Sequence, residues 1–333
     1  MSLSDGKMQA ISVEKFGSEE VLELKLVDIP TASASTVVVK VIAAGVNPVD
    51  TYIRAGLLSY GPELPYTPGK DGAGIVHEVG EGVTKFEVGQ RVFICNVSLQ
   101  KYGTYAEYTV VKEDELFPLH DNLTFEQGAA LGVPYFTAHR ALVIKTKCSA
   151  GETVLIHGAS GAVGLAAVQI AKHLGLTVIG TAGTEDGVSL VKQTGADLVV
   201  NHKEKDYFEK IQEYTENTGV NIILEMLANK NLDKDLDILA KRGRLAIIGS
   251  RGPIRIDPRK MMMPEHEIYG IGLLNSNKEE WQQSAEFILK GIEEGWVKPF
   301  IGKSYPMENA SIAHKDIIHS SGAKGKIILV NQK

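Results

Sequence analysis

A glycine-spaced turn constrains the fold of this chain more than any other feature. The stretch "HGASGAVG", residues 157–164, places Gly158, Gly161 and Gly164 three residues apart, directly after the apolar run "TVLI". In a strand–turn–helix unit the first glycine permits the sharp turn, the second lets backbone approach a ligand, and the third lets helix and strand pack closely. The stretch therefore predicts a βαβ unit, and a bare tight turn is the alternative.

Alternating apolar and amphipathic segments surround this turn. Runs rich in Val, Ile and Leu, such as "TVIGTAG" and "VNIILEML", alternate with helical segments, as is typical of a parallel doubly wound sheet. We predict that Gly175, Gly195, Gly219 and Gly243 each end a helix before the next strand. Unpaired N–H groups and the dipole at the start of the first crossover helix would favour a phosphate. The turn therefore predicts a nucleotide site.

The chain before residue 124 has a different pattern. Short β segments such as "TVVVKVIAAGV" and "QRVFICNV" are separated by Gly and Pro turn signals, which indicates a barrel-like all-β region. Thr124 is expected to cap a helix over "TFEQGAALGVPYFTAHRALV". After Leu274 we predict a helix over "SNKEEWQQSAEFILKGIEEG", then the segment "PFIGKSYPM", another short helix and a final strand in "GKIILVNQK".

Composition limits the classes of partner. The 333 residues include 35 Lys and Arg against 41 Asp and Glu, a net charge of −6 with mixed signs, so charge indicates neither a nucleic-acid nor a membrane partner. No apolar run is long enough to span a bilayer, and "MSLSDGKMQA" lacks a secretory core and is expected to be a short disordered lead into a strand. Cys95 and Cys148 are too few for a disulfide framework, which favours a reducing cytoplasmic location.

The end of the second predicted strand of the sheet lacks a characteristic acid. Dinucleotide-binding units usually carry Asp or Glu there, about 20 residues after the glycine turn, to bind the ribose 2′-hydroxyl. Here "TVIGTAGTEDG" has small residues after the strand and no acid before Glu185, and His202 and Lys203 follow the third strand. Because a carboxylate would repel a 2′-phosphate, we expect NADPH rather than NADH; the alternative for His202 is an ordinary loop histidine.

Several segments distributed along the chain identify a family. They are "GVNPVDTYIRAG", "PYTPGKDGAGIV", "GAALGVPYFTAHRAL", "VLIHGASGAVGLAAVQIAKHLG", "GTAGTEDG", "EMLAN", "IIGSRG" and "HSSGAKGKIIL". A chain with these segments resembles the zinc-free, zeta-crystallin-like quinone oxidoreductase branch of the medium-chain dehydrogenase/reductase superfamily. The resemblance implies an α/β architecture: a GroES-like β-barrel catalytic domain in residues 1–127, a Rossmann dinucleotide-binding domain in 128–273, and a return to the catalytic domain in 274–333. It also implies an active site in the cleft between the two domains.

Three positions distinguish this chain from the zinc-dependent alcohol dehydrogenases of the superfamily. Where those enzymes place zinc ligands, the resemblance puts Asn47, Lys70 and Val133, and zinc is bound by thiolate, imidazole or carboxylate. We therefore expect no metal, and alcohol oxidation, which needs a stabilised alkoxide, is not favoured. A quinone or conjugated enone fits better because the arriving charge delocalises. The resemblance implies quinone reduction with NADPH, ortho-quinones favoured, often in one-electron steps that form a semiquinone.

The resemblance also assigns residues to the cofactor. Tyr52 is expected against the nicotinamide, although Tyr52 and Tyr60 could instead pack at the barrel edge, and Arg251 could form a surface ion pair. The remaining residues expected to line the cofactor groove are Ser160, Gly161, Ala162 and Val163 at the pyrophosphate, Gly183 and His202 at the ribose phosphate, and Asn231, Ile248, Gly249, Ser250, Arg251, Ile271, Gly272 and Leu273 along the rest.

Two residues are expected to contact the substrate. Asn47 is the preferred contact to the substrate carbonyl, with Tyr52 supporting it, and the alternative is an Asx turn before Pro48. Lys70 could polarise a quinone oxygen, or could turn to Asp71 or to water. Asp50 is expected to be a local cap or ion-pair partner rather than a proton donor.

Other functions stay open at this point. An NADPH-dependent enone or alkenal reductase is the nearest alternative. The resemblance also implies a non-catalytic protein that binds NADPH and AU-rich RNA, although the sequence carries no RNA-binding motif and its pI is about 5.9. A homodimer or homotetramer is expected by the same resemblance, with the apolar strand "EIYGIGLL" pairing across a two-fold axis.

Overall fold

The computed structural model describes residues 6–58, 61–96, 98, 101–320 and 322–331. The chain divides into two compact units, the first containing 1–133, 299–320 and 325–333, and the second containing 134–298 and 321–324. These limits describe packing, and the domain boundaries expected from the sequence, after residues 127 and 273, stay a prediction.

The regular elements follow in chain order. The strands are β1 (Lys7–Ser12), β2 (Glu23–Asp28), β3 (Thr36–Val46), β4 (Asp71–Val79), β5 (Arg91–Cys95), β6 (Tyr108–Lys112), β7 (Leu116–Pro118), β8 (Thr153–Ile156), β9 (Thr177–Ala182), β10 (Leu198–Asn201), β11 (Val220–Glu225), β12 (Leu239–Ile247), β13 (Glu267–Gly270), β14 (Ile301–Pro306) and β15 (Lys326–Val330). The helices are α1 (Pro48–Arg54), α2 (Phe125–Gly128), α3 (Gly132–His139), α4 (Ala162–His173), α5 (Glu185–Gln193), α6 (Tyr207–Tyr214), α7 (Ala228–Ile238), α8 (Arg259–Met262), α9 (Lys278–Glu293) and α10 (Ala310–His319).

The first unit is built around β3, which pairs antiparallel with β4, β6 and β15. The sheet order is β14–β15–β3–β4–β5–β7, with β6 also on β3, while β1 and β2 form a separate antiparallel pair. Val37 and Val39 on one face of β3 and Val38 on the other are all buried, because both faces of the strand pack into core clusters. This strand-rich unit, closed by the final strand, confirms the GroES-like barrel expected from the sequence.

The second unit contains a six-stranded parallel sheet in the order β10–β9–β8–β11–β12–β13. This is the doubly wound order in which the chain starts at the centre and winds outward in both directions. The direction of winding changes between β8 and β11, and ligands of such sheets bind beyond the carboxyl ends of the strands at this switch point. The predicted Rossmann architecture is confirmed, and the glycine turn after β8 lies at the switch point.

Local structure differs from expectation in three places. The single helix predicted after Thr124 is divided into α2, α3 and a π-helical segment over Arg140–Lys145, although Thr124 does cap α2. The prediction that Gly243 ends a helix is wrong, because Gly243 lies inside β12 and Arg242 takes the left-handed conformation there, at φ 59°. Strand β2 was not predicted, because its charged and half-exposed residues lack an apolar run.

Helix ends elsewhere follow the sequence closely. Gly175 and Gly195, with φ of 78° and 113°, directly follow the C-caps of α4 and α5, as expected for glycines after a helix. Asn277 caps α9 by accepting a hydrogen bond from the Glu280 N–H. Across the described parts of the chain, no helix combines the length and the apolar character needed to cross a bilayer.

Candidate functional site

The glycine turn after β8 leads directly into α4. Gly158 has a φ of 57° and Gly161 is the N-cap of α4, so the first glycine makes the turn and the second precedes the helix. A Cβ on Gly164 would lie 2.5 Å from Ala159 Cα, so the third glycine permits close backbone packing. The N–H groups of Ala162 and Val163 belong to the first helical turn, which has no intrahelical acceptor. The turn and α4 can therefore hold an anion.

The end of β9 meets two basic side chains. The strand ends at Ala182, and a Cβ on Gly183 would lie 2.7 Å from His202 Nε2 and 3.4 Å from Lys203 Cε. His202 and Lys203 follow β10, which pairs with β9, so the predicted Gly183–His202 grouping is present. Burial lowers the pKa of His202, with smaller contributions from His157 and Lys203.

Glu225, at the end of β11, links the next segments of the expected groove. Its carboxylate accepts hydrogen bonds from the Leu227 N–H and from Asn231 Nδ2, the latter at 3.3 and 3.2 Å. Its backbone carbonyl accepts hydrogen bonds from the N–H groups of Ile248 at 2.8 Å and Gly249 at 3.2 Å. The structure therefore brings Asn231, Ile248 and Gly249 together around one residue.

The remaining residues expected in the groove follow β12 and β13. The Arg251 N–H donates to Asn229 Oδ1 at 2.9 Å, and Ser250 Oγ donates to the Gly252 carbonyl at 3.0 Å. The Ile271 N–H donates to the Ile247 carbonyl at 2.9 Å. Gly272 and Leu273 follow β13, with Leu273 opening a 3₁₀ turn, and Ser160 is buried in the glycine turn. Contact of these residues with a cofactor stays a prediction.

In the first unit, Asn47 belongs to a buried charged cluster. Lys326 Nζ donates to Asn47 Oδ1 and to Asp71 Oδ2, each at 2.6 Å, and Asn47 Nδ2 donates to Asp71 Oδ2 at 2.9 Å. Asp71 Oδ1 accepts from the Val133 N–H at 2.7 Å. Asn47, Asp71 and Lys326 are 3%, 0% and 2% exposed. The amide of Asn47 is therefore engaged on both sides, and its expected contact with a substrate carbonyl stays a prediction.

Lys70 lines a pocket of the first unit together with Asp50 and Tyr66. Lys70 Nζ donates to the Ser98 carbonyl at 2.8 Å. Burial lowers the pKa of Lys70, and the charge of Asp50 opposes this effect. Burial raises the pKa of Asp50 to about 6, against the charge of Lys70. The Tyr66 hydroxyl is buried without a hydrogen-bond partner among the described residues, so the pocket combines a cation, a carboxyl and an unsatisfied hydroxyl.

Asp50 is the third residue of α1 and caps the start of the helix, as the sequence predicted, because it forms a capping box with the N-cap residue Asn47. Its Oδ2 accepts from the Asn47 N–H at 2.9 Å and from the Tyr105 hydroxyl at 3.4 Å. The Tyr105 hydroxyl and His314 Nε2 are 3.1 Å apart, and burial lowers the pKa of His314 to about 3. Tyr52 lies half-buried on α1, and its expected contact with the nicotinamide stays a prediction. Tyr60 lies outside the described residues.

Comparison with known proteins agrees with this geometry. Residues 33–121 match the alcohol dehydrogenase GroES-like domain, and residues 162–290 match the family described as zinc-binding dehydrogenase. A quinone oxidoreductase of Rattus norvegicus is 52% identical over 331 residues, which cover 99% of this chain and 100% of the relative. The chain belongs to the quinone oxidoreductases of the medium-chain dehydrogenase/reductase family.

Two further members show the breadth of this family. A 2-haloacrylate reductase of Burkholderia sp. is 32% identical over 303 residues, which cover 87% of this chain and 89% of the relative. A mycobacterial protein solved in complex with NADPH has a TM-score of 0.86 at 30% identity, covering 97% of this chain and 99% of that one. Membership in the family makes the chain an oxidoreductase.

Zinc does not fit the residues at the three expected ligand positions. Zinc prefers thiolates and imidazole, but this chain has the amide of Asn47, the ammonium of Lys70 and the aliphatic side chain of Val133 at these positions. Asn47 Oδ1 already binds the Lys326 ammonium at 2.6 Å, as does Asp71 Oδ2. The side chains at the three positions therefore do not form a ligand set that zinc prefers.

Several residues of the site escaped the sequence reasoning. Lys326 and Asp71 are 255 positions apart, and no motif predicts that they form a pair. They meet only in the folded sheet, where β15 and β4 both pair with β3. Glu225 could have been noticed as an acid at the end of an otherwise apolar run, "VNIILE", because an acid there is buried and needs partners. His157 could have been noticed for the same reason, because a titratable residue directly after the apolar run "TVLI" is expected to be buried and to need partners.

Proposed function

We propose that this chain reduces quinones with NADPH and needs no metal ion. The observation that carries the cofactor assignment is the packing of Gly183 against His202. A Cβ at position 183 would come within 2.7 Å of His202 Nε2, so an acidic side chain there would have to displace the imidazole. Imidazole and ammonium groups stand there instead, and both can donate hydrogen bonds to a 2′-phosphate.

The second unit supplies the other requirements of a dinucleotide site. Backbone N–H groups at the start of α4 would hold the pyrophosphate, with Gly161 allowing close approach. Asn231, Ser250 and Arg251 would line the rest of the groove, together with Ile271 and Leu273. When bound, NADPH supplies the electrons, and the protein binds and orients both reactants.

Lys70 supports the assignment of the acceptor. Its ammonium is partly buried and, among the residues that the structure describes, has a neutral carbonyl, that of Ser98, as its hydrogen-bond acceptor. A lysine has three N–H donors, so further donors can face an oxygen that gains negative charge. In a partly desolvated pocket such a charge stabilises an anion more strongly than it would in water. Lys70 would thus polarise a quinone carbonyl without a metal.

The direct test compares the two cofactors and the metal content on one sample. We expect kcat/KM with NADPH to exceed that with NADH at least tenfold, about 1.4 kcal/mol, with less than one-tenth equivalent of zinc per chain. Gly183→Asp should reduce this preference by displacing His202, and Gly252→Ala, whose Cβ would meet open space, is the matched control. Equal efficiency with both cofactors, or stoichiometric zinc, would remove the proposal.

The preferred acceptor needs its own test. We propose ortho-quinones reduced in one-electron steps, so turnover with an ortho-quinone should produce an organic radical detectable by electron paramagnetic resonance. The alternative is reduction of a conjugated double bond, which the similarity to a 2-haloacrylate reductase favours. A 2-alkenal reduced faster than every quinone of a panel would select this alternative.

Assembly and location are part of the same proposal. β13 is the edge strand of the six-stranded sheet, so its outer edge is available for pairing with a second copy across a two-fold axis. We therefore propose a cytoplasmic homodimer or homotetramer, which light scattering of the purified protein would distinguish from a monomer. Binding of AU-rich RNA stays a prediction of the family resemblance, and a gel-shift in competition with NADPH would test it.

A further inference from the structure

Three buried titratable side chains lie directly behind the glycine turn. His157 immediately precedes Gly158, Glu225 ends β11, and Asp235 lies on α7. His157 Nε2 is 2.9 Å from Asp235 Oδ1 and 3.6 Å from Glu225 Oε2. His157 is 3% exposed, and the two acids are fully buried. Asp235 Oδ2 has no hydrogen-bond partner among the described residues, so the cluster has one acceptor position in excess.

This cluster is connected to every segment of the expected groove on this side of the sheet. Glu225 fixes Asn231 through its carboxylate and fixes Ile248 and Gly249 through its backbone carbonyl. His157 directly precedes Gly158 of the glycine turn, and the backbone N–H of His157 donates to the Leu224 carbonyl at 3.0 Å. A change in the charge of the cluster therefore acts on the turn and on Asn231 together.

We propose that Glu225, His157 and Asp235 form a proton-holding cluster that positions the nucleotide-binding segments, and that the cluster takes up a proton when an anionic dinucleotide binds. The proposal rests on the proposed function of these segments as the cofactor site. Glu225 is a positioning residue here, because it acts on the cofactor through Asn231 and the backbone at Ile248 and Gly249.

The electrostatics of the cluster agree with this role. Burial raises the pKa of Glu225 to about 7, with the charge of His157 acting against this rise and Asp235 adding to it. Burial disfavours the charged form of His157, but the charge and hydrogen bond of Asp235, together with Glu225, raise its pKa overall. Near neutral pH the cluster therefore holds at least one proton that it can exchange.

Other titratable groups face the cluster from neighbouring elements. Tyr207 on α6 interacts with both acids, and burial followed by these acids raises its pKa beyond the physiological range. His202 and Lys203 follow β10, and the charge of His157 is among the causes that lower the pKa of His202. The field of the cluster thus reaches the group proposed to bind the ribose phosphate. A diphosphate bound at the glycine turn is negatively charged, so it would favour the protonated form of the cluster and raise its proton affinity.

The sign and size of the effect follow from linkage. A group that is half-protonated at pH 7 can take up at most about half a proton when an anion raises its pKa. Dinucleotide affinity should therefore fall as the pH rises from about 6 to about 8. The fall is steepest toward pH 8, where the free cluster has lost its proton and uptake on binding can approach one proton, and its limit is about tenfold per pH unit. The stability of the nucleotide-free protein should fall as the pH rises from about 5 to about 7, because the folded Glu225, with a pKa of about 7, holds its proton to higher pH than the unfolded one.

The experiment measures proton uptake on binding of NADH by calorimetry at pH 7, in buffers of different ionisation enthalpy. NADH has no 2′-phosphate that could itself titrate, and EDTA-treated protein ensures that no metal cation replaces the proton. We expect wild type to take up about 0.3–0.5 proton and to bind more weakly as the pH rises. Glu225→Gln and Asp235→Asn should reduce the uptake and flatten the pH profile, while the matched control Glu213→Gln, at an exposed position of α6, should preserve both.

Several outcomes would overturn the inference. Equal uptake by wild type and Glu225→Gln, or loss of uptake in Glu213→Gln, assigns the proton to another group. Melting temperatures of the nucleotide-free proteins between pH 5 and pH 8 give a readout that does not need the cofactor. The profile of Glu225→Gln should be flatter than that of wild type, and parallel profiles contradict the proposal. Binding of NADPH and NADH without proton uptake removes this inference alone, whereas no binding of either removes the proposed function.

Discussion

Replacing Lys326 by Met tests the buried ion pair of the first unit. The substitution keeps most of the side-chain volume and removes the ammonium that bonds Asn47 Oδ1 and Asp71 Oδ2, each at 2.6 Å. Asp71 would keep two donors, Asn47 Nδ2 at 2.9 Å and the Val133 N–H at 2.7 Å, but its charge would have no counterion at hydrogen-bond distance. Removing one partner of a buried pair leaves an uncompensated charge and costs about 3–5 kcal/mol.

The structure places this variant near the upper end of that range. Both partners are at most 2% exposed, so water cannot solvate the remaining carboxylate without opening the sheet between β3 and β15. For a unit of this size, 1 kcal/mol corresponds to about 2–4 °C, so a loss near 5 kcal/mol should lower the melting temperature by about 10–20 °C. The double variant Asp71→Asn/Lys326→Met should recover much of the loss, because no charge remains buried.

The assay is unfolding followed by far-ultraviolet circular dichroism, with tryptophan fluorescence in parallel. Trp281 and Trp296 both belong to the second unit, so their signal indicates whether unfolding of that unit changes too. Lys303→Met is the matched control, since Lys303 pairs with Asp316 at 2.6 Å but is 58% exposed, and should cost less than about 1 kcal/mol. A loss for Lys326→Met no greater than that of the control would refute the argument from burial.

Three further predictions follow from single residues. Lys70→Met should reduce kcat with a quinone by about tenfold or more, since it removes the charge expected to stabilise the developing anion, and stopped-flow turnover at wild-type rates would exclude Lys70 from the site. Burial raises the pKa of Asp50 from 3.8 to about 6, so the folded state should lose stability as the pH rises from about 4 to about 6. Asp50→Asn should make the urea-unfolding free energy depend less on pH over that window, and an unchanged slope would contradict the assignment. Gly164→Ala should destabilise by about 1–3 kcal/mol in thermal melts because its Cβ would lie 2.5 Å from Ala159 Cα, whereas Gly161→Ala, with its nearest neighbour at 3.4 Å, should be tolerated.

The sequence predicted those parts of the fold whose signals are local. The run "TVVVKVIAAGV" is strand β3 residue for residue, and the glycine turn leads into α4 as expected, because apolar periodicity and glycine conformation act over a few residues. Gly243 shows the limit of this reasoning. A glycine between a polar helix and an apolar strand is typical of a helix end, but here Leu239 already pairs with Val220 of β11. Strand β12 therefore begins before Gly243, and regular pairing with β11 and β13 starts at Arg244. At this position the pairing of strands outweighed the local preference of glycine for the end of a helix.

The candidate site was predictable to the extent that a motif named its residues. The grouping of Gly183 with His202 could be anticipated, because strands β9 and β10 are neighbours in any sheet of this order. The cluster of Asn47, Asp71 and Lys326 could not, because it joins the ends of three strands or turns that are far apart in sequence and carry ordinary residues. Buried charges are costly unless paired. An isolated Lys in the apolar segment "GKIILV" was therefore the one signal available for it.

The ion pair between Lys326 and Asp71 also accounts for the state of Lys70. From the sequence alone, Asp71 is the nearest carboxylate to Lys70 and its natural counterion. In the structure Asp71 is already neutralised by Lys326 and held by Asn47 and the Val133 N–H, so Lys70 turns to the neutral carbonyl of Ser98. The positive charge of Lys70 is then opposed by two further buried acids, Asp50 and Glu115, and burial raises the pKa of Asp50 to about 6. The hydrogen bond of Lys70 Nζ goes to a neutral carbonyl, which leaves the ammonium able to donate to a substrate oxygen, as its proposed role requires.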